Sequence, residues 1–220
     1  MPSSFKKLIG LTTPQLAQIE EVENEPPFRI KQIASWIYAK GVRHFTEMTS
    51  LPNQLRERLA RTCSLDRLPV VLTQVSSDGS TRKFLFGLSD GLQVEAVLIR
   101  TDARDTICVS TQVGCSYGCR FCATAAMGLK RNLTPHEILS QVLIVRDEIQ
   151  AAGGSGHFNL VFMGMGEPLA NYGSLVPALE VLNEDHGLAV GRRRMTVSTV
   201  GLLPQIRRLA SEPVTVRLAL

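Results

Sequence analysis

The sequence predicts an α/β protein: a small helical region, then a short β meander, then βα units that build a parallel sheet or barrel. Three observations predict it. Up to residue 67 apolar residues recur at helical spacing. Residues 68–100 read as short strands around Asp-Gly turns. From residue 105 strands and helices alternate, as they do where helices cover a parallel sheet. The expected division is 1–67 for the helical domain, 68–104 for a β-meander linker and 105–220 for the core.

Each element has a local reason. In "TTPQLAQIEE", Thr13 is placed to cap a helix that has Pro14 at its first position. "PFRIKQIASWIYAKG" carries apolar residues at 30, 33, 34, 37 and 38 and ends at Gly41. "SLPNQLRERLARTC" sets Leu55 and Leu59 on one face. "PVVLTQVS", "TRKFLFGL" and "LQVEAVLIR" are β-rich, and Asp78-Gly79 and Asp90-Gly91 between them are hairpin signals. "TICVSTQV" opens the alternating region. The next helix, "TPHEILSQVLIVRDEIQAAGG", has Thr134 as cap, Pro135 at its start, Glu137 in its first turn and Gly153-Gly154 beyond its end. "FNLVFMGMGEP" reads as a buried strand, "NYGSLVPALEVLNEDHG" as a helix, "RRMTVSTVG" as a strand, "LLPQIRRLAS" as a helix and "PVTVRLAL" as a strand.

Composition narrows the function classes. At 220 residues and 44% hydrophobic content the chain can bury one core, or a small domain plus part of a larger one. Charged residues at 20% argue against a disordered chain. Lys plus Arg number 24 against 20 acidic residues, a mild excess that says little about partners. Between Arg29 and Arg67 eight basic residues face three acidic ones. That region is either a solvated helix surface or a phosphate-contacting one, and charge alone favours the former. "MPSSFKKLIGLTTPQLAQIEE" turns polar too soon for a signal peptide, and no run approaches the roughly 18 apolar residues of a membrane span. A cytoplasmic protein with no membrane attachment is expected. In a reducing compartment the odd set Cys63, Cys108, Cys115, Cys119 and Cys122 points to ligands or catalysts before disulfides.

Three of those cysteines crowd into "GCSYGCRFCATAAMG" as Cys115-x₃-Cys119-x₂-Cys122. A structural zinc site takes four ligands, usually as two pairs, and only His136 in the first turn of a helix could be added here. Iron–sulfur clusters are held by thiolates on tight loops, and three thiolates on a cluster of four irons leave one iron open to another molecule. The triplet follows the first strand of the βα array, and sites in such folds lie at the C-terminal ends of the strands. The second strand runs into Gly164-x-Gly166-Glu167, where backbone can come close to a ligand and a carboxylate can meet an ammonium group. Ser198 and Thr199 end the third strand at the same rim, where β-propensity and helix capping also account for them. Zinc and redox-thiol readings stay open on the triplet alone.

The triplet spacing resembles the signature of radical S-adenosylmethionine (SAM) enzymes, and Phe121 fits the usual aromatic before the last cysteine. In that superfamily the open iron of a 4Fe–4S cluster binds SAM, and reduction cleaves SAM to a 5′-deoxyadenosyl radical. The longer runs "ICVSTQVGCSYGCRFCATAAMGLKRNLTPHEILSQV", "VFMGMGEPLANY" and "RRMTVSTVG" resemble the dual-specificity RNA methyltransferases that methylate carbon 2 of adenine in 23S rRNA and tRNA. "FRIKQIASWIYAKGVRHFTEMTSLPNQLRERL" resembles that family's helical accessory domain, which implies that residues 1–67 contact RNA, the Arg29–Arg67 region chiefly through phosphates. The likeness extends to the enzymes that methylate carbon 8 of the same rRNA adenine. It implies a 4Fe–4S cluster and SAM as cofactors, 23S rRNA and tRNA as partners, a flavodoxin-like or ferredoxin-like electron donor, and a monomer.

Residue by residue, the resemblance implies Cys115, Cys119 and Cys122 as cluster ligands. It implies Gly166, Glu167 and Ser198 as SAM contacts. Cys108 matches the cysteine that removes the carbon-2 proton and releases the covalently held RNA. Glu95 matches the proposed proton acceptor; a carboxylate buried in that apolar run would have a raised pKa, suited to proton transfer. A lone strand cysteine is more often a small buried hydrophobe. The family also uses a second, methyl-carrying cysteine near its C-terminus, and no cysteine follows Cys122 here. Its partial (βα) radical-SAM barrel has six strands, and this sequence reaches the fourth, so the barrel is expected to be incomplete at the C-terminus. The 220-residue chain is accordingly expected to hold a cluster and bind SAM weakly without completing methyl transfer, or to be an inactive RNA- or cluster-binding remnant.

Overall fold

The computed structural model describes residues 5–154 and 156–220. The N-terminal layer contains strand β1 (Lys6–Lys7), helices α1 (Thr13–Leu16), α2 (Pro27–Ala34) and α3 (Asn53–Thr62), and strand β2 (Cys63–Ser64), which pairs in parallel with β1. The α1 cap is Thr12, not Thr13. Thr12 accepts from the Gln15 N–H and the Gln15 side chain accepts from the Thr12 N–H. Counted from Thr13, the reciprocal position is Leu16, which has no acceptor, so the capping box decides the register. Helix α2 runs on through a π-helical turn to Ala39, and Gly41 follows at φ +67°. Ile30, Ile33, Ala34, Ile37 and Tyr38 are buried, as their spacing predicts, and so are Leu55 and Leu59 on α3.

The rest is built on one sheet. Its strands are β3 (Val70–Val75), β4 (Thr81–Gly87), β5 (Gln93–Thr101), β6 (Arg104–Cys108), β9 (Phe158–Phe162), β10 (Met195–Ser198) and β11 (Arg217–Ala219). Between β6 and β9 lie the short pair β7 (Gln112–Val113) and β8 (Arg131–Asn132). The spatial order is β11-β10-β9-β6-β5-β4-β3. Strands β6, β9, β10 and β11 are parallel, joined through helices α4 (Pro135–Ala151), α5 (Tyr172–Asn183) and α6 (Leu203–Leu209). Strands β3 to β6 are antiparallel. The meander expected as a linker is therefore the antiparallel half of the same sheet. Its β5 pairs along β6, which would otherwise be an open edge. Gly79 and Gly91 take φ +72° and +81° in its two turns, as Asp-Gly predicts. The last strand is shorter than "PVTVRLAL" suggests, because its ladder to β10 spans only Arg217–Ala219.

The parallel strands alternate between two environments. Ile107, Leu160, Phe162, Met195 and Val197 are fully or almost fully buried. The residues between them, Cys108, Val161, Thr196 and Ser198, are half-buried and share the other face. Helix α4 is capped by Thr134 with Glu137 in a reciprocal box, as expected, and is buried over most of its surface between the strands and α5. No helix among the described residues is long and apolar enough to cross a membrane.

Candidate functional site

Register brings the expected site residues to one rim. Cys108 stands opposite Val97 on β5 and Val161 on β9, and Val197 stands opposite Phe162. Strands β6, β9 and β10 thus end nearly level. Paired residues point to the same side of a sheet and so do residues two apart, which puts Glu95, Val97, Cys108 and Ser198 on one face. The cysteine loop and the Gly164–Glu167 turn leave the C-terminal ends of β6 and β9 beside them.

The backbone after Cys108 is clasped by that turn. Gly164 N–H donates to Val109 O at 3.1 Å, Thr111 N–H donates to Met165 O at 2.9 Å, and Met165 N–H donates to Ser110 Oγ at 2.8 Å. A Cβ on Gly164 would sit 2.7 Å from Ser110 Oγ, and one on Gly166, at φ +98°, 2.5 Å from Gln112 Cβ. The expected close approach is real, but the partner that demands glycine is this chain's own β6–β7 segment.

The cysteine loop has a built neck. β7 pairs with β8, and Lys130 N–H donates to Val113 O at 2.8 Å. Gly114, at φ +75°, lies against Gly128: a Cβ there would be 1.8 Å from the Gly128 carbonyl oxygen. Arg131 then anchors the exit, bonding both oxygens of Glu137 at 2.8 and 2.9 Å and pairing with Asp90. Within the loop Cys115, Cys119 and Cys122 are half-buried free thiols, and Phe121 is 94% exposed. Among the described residues no three His, Cys, Asp or Glu side chains are gathered to hold a metal ion. The donor chemistry nevertheless fits an iron–sulfur cluster: three unpaired thiols on one pinned loop. His136 does not join them. It is buried at the start of α4 with a hydrogen bond to the Ile9 main chain, and burial with the nearby Lys7 charge pushes it down to about 4.

The remaining expected residues carry internal bonds. Glu167 is 3% exposed; its Oε1 accepts from Leu169 N–H at 3.0 Å and its Oε2 from Val200 N–H at 2.9 Å. It thereby ties the β9 turn to the β10 turn. Ser198 Oγ donates to Phe162 O at 2.8 Å. Burial raises the Cys108 thiol, offset in part by a hydrogen bond with the Met163 backbone. Glu95 is not the buried carboxylate that its apolar neighbours suggest. Its side chain is 41% exposed and pairs with Lys83 at 3.0 Å, because β5 turns this face away from the helices.

Sequence reasoning passed over Ser110, Gln112, Gln141 and Asn171. Gln141 bonds both the N–H and the carbonyl of Ser110; Gln112 accepts from Glu167 N–H; Asn171 donates to Thr111 O and Leu133 O. All four are buried, and Gln141, polar within the apolar run "EILSQVLIV", was the one with a signal in the sequence. The basic residues of the accessory region make several internal contacts. Arg29 and Arg58 pair with Glu25, Arg43 and Arg67 with Asp147, Arg56 bonds Thr46 O, and Lys40 lies over Trp36. Much of that surface charge is thus committed to holding helices together.

Residues 6–65 match the family described as the ribosomal RNA large subunit methyltransferase N-terminal domain, and residues 109–220 match the radical SAM superfamily. The chain is 42% identical, over 96% of its length, to the dual-specificity RNA methyltransferase RlmN of Pelobacter propionicus. It is 44% identical, over 95% of its length, to that of Syntrophobacter fumaroxidans. It spans 59% and 60% of those two proteins. A crystal structure of a radical SAM methyltransferase from Sphaerobacter thermophilus superposes with a TM-score of 0.87 at 42% identity, covering 97% of this chain and 62% of that one. Together with the three-thiol loop and the parallel array beneath it, these matches place the chain in the radical SAM superfamily, in the branch that carries the ribosomal RNA large subunit methyltransferase N-terminal domain.

Proposed function

We propose that this chain is the N-terminal portion of a radical SAM methyltransferase acting on carbon 2 of adenine in 23S rRNA and tRNA. The observation that carries the reading is the common rim: Cys108 ends the strand from which the three-thiol loop departs, with Glu95 on the same face. Cys115, Cys119 and Cys122 would hold a 4Fe–4S cluster, and Glu167, Gly166 and Ser198 would line the SAM side of the rim. When bound, these groups supply the one-electron chemistry that an electron-poor aromatic carbon needs. Burial raises the Cys108 thiol, so Glu95, on the same face, would first accept its proton, and the thiolate would then take the carbon-2 proton.

Anaerobic reconstitution tests the reading. Iron and inorganic sulfide should bind wild type in near-equal amounts and bind Cys119→Ala poorly. Stoichiometric zinc without sulfide overturns it. RNA binding by the same preparation tests the substrate class.

A further inference from the structure

A cleft of about 530 Å³ lies at the opposite end of the strands from the thiols. Arg104 lines it from the β5–β6 hairpin, Asn159 from the start of β9, and Arg193 and Arg194 from the 3₁₀ turn Arg192–Arg194 that leads into β10. Register explains the convergence. Asp105 stands opposite Phe158, and Met195 opposite Leu160, so Arg104 and Arg194 flank β9 from its two neighbours. Two strand spacings separate them, on the order of 10 Å.

The charge here is not used by the fold. None of the ion pairs among the described residues involves Arg104, Arg193 or Arg194. Two carboxylates also line the cleft, and one of them, Asp105, is drawn to Arg100 Nε at 3.7 Å, leaving Asp102 as the nearby competitor. Arg192, Arg193 and Arg194 are consecutive and exposed on a single short turn, where like charges repel. The contrast is with Arg29, Arg43, Arg58 and Arg67, each paired to a carboxylate. An arrangement that opposes folding and converges on an open cleft is one that an anion would complete.

We propose that this cleft binds backbone phosphates of the RNA substrate, a contact separate from the reaction rim; the proposal rests on the RNA-modifying reading above. Guanidinium groups match phosphate oxygens in geometry and charge, and such contacts position RNA without reading its sequence. Five residues of β9 separate the cleft from the rim, roughly 17 Å at strand rise. An RNA stem can bridge that distance while a target nucleotide occupies the rim.

The test is fluorescence anisotropy of a labelled RNA stem-loop with the 220-residue chain, without turnover, at several salt concentrations between 50 and 200 mM. Arg193→Gln/Arg194→Gln is compared with wild type and with the charge-matched pair Arg207→Gln/Arg208→Gln on α6, all checked for no loss of melting temperature. The cleft variant should bind about tenfold more weakly at low salt, and its log–log salt slope should fall by about two, one per lost phosphate contact. An unchanged slope, or an equal change in the control pair, overturns the proposal while leaving the methyltransferase reading in place. Wild type that binds no RNA overturns both. Binding of a nucleoside triphosphate that is lost in the cleft variant, with the RNA slope unchanged, overturns it in favour of a small-anion site.

Discussion

Arg67 donates to Asp147 Oδ2 across 2.6 Å, and this contact joins the end of the helical layer to α4. The Arg67 side chain is 1% exposed, and burial lowers its pKa to about 10 although the Asp147 charge pulls it upward. The same carboxylate accepts from Arg43 at 2.9 Å and from Arg146 at 3.2 Å, and Arg146 also donates to Tyr38 O. Asp147→Ala would leave two nearly buried guanidiniums without a carboxylate. We expect a loss of about 2–3 kcal/mol in urea denaturation, below the figure for a fully enclosed pair because Asp147 keeps some solvent contact. A variant as stable as wild type would remove the carboxylate from any role in joining the layers.

Gly114→Ala should damage the cysteine loop more than the fold. Its φ of +75° and the 1.8 Å approach to Gly128 O leave no place for a Cβ. The loop neck must open, which separates the residues before Cys115 from those after Cys122. Iron incorporation should fall at least tenfold while the far-ultraviolet dichroism and melting temperature change little. Full iron loading would show that the neck does not position the thiols.

His136 predicts an acid-side loss of stability. Burial and Lys7 hold the folded-state value near 4, against about 6.5 for an unfolded histidine. Above pH 6.5 neither state binds the proton and the stability is fully present. Between pH 6.5 and 4 only the unfolded chain binds it, so stability declines, by up to about 3 kcal/mol at the lower limit. Comparing pH 7 with pH 4.5 by denaturant titration, His136→Asn should show a shallower decline than wild type. Parallel curves would sink the assignment.

Alkylation should separate the five thiols. Cys63 is buried and its thiol is raised by burial, and the same cause raises Cys108. The thiolate is the reactive species, so both should label slowly at pH 7.5. Cys115, Cys119 and Cys122, on an accessible loop, should label at least tenfold faster in metal-free protein. Mass spectrometry of peptides after timed iodoacetamide exposure reads the order, and early labelling of Cys63 would contradict its burial.

Most element boundaries were legible because their causes are local. Thr134 with Glu137, the Asp-Gly turns, and the spacing of Ile30, Ile33, Ile37 and Tyr38 each act within a few residues. The cysteine triplet was legible for the same reason, since its spacing is covalent. The α1 cap was off by one because two threonines compete and Gln15, not proline, selects between them. Glu95 was misjudged because an apolar run does not say which face of a strand meets helices and which faces away.

By itself the sequence determined the helical layer, the order of βα units and the three thiols on one loop. Tertiary structure decided that the antiparallel meander and the parallel strands form one sheet, and that Glu95, Cys108 and Ser198 share a face. It also decided that Gly164 and Gly166 serve the β6–β7 segment, that Asp147 gathers three arginines, and that Arg104 lines one cleft with Arg193 and Arg194. The physical reason is range. Capping, turns and periodicity are set within one or two helical turns, whereas the register of Cys108 with Val97 and the pairing of Arg43 and Arg67 with Asp147 join residues from 11 to 104 positions apart. Those choices are made by the packing of the whole core.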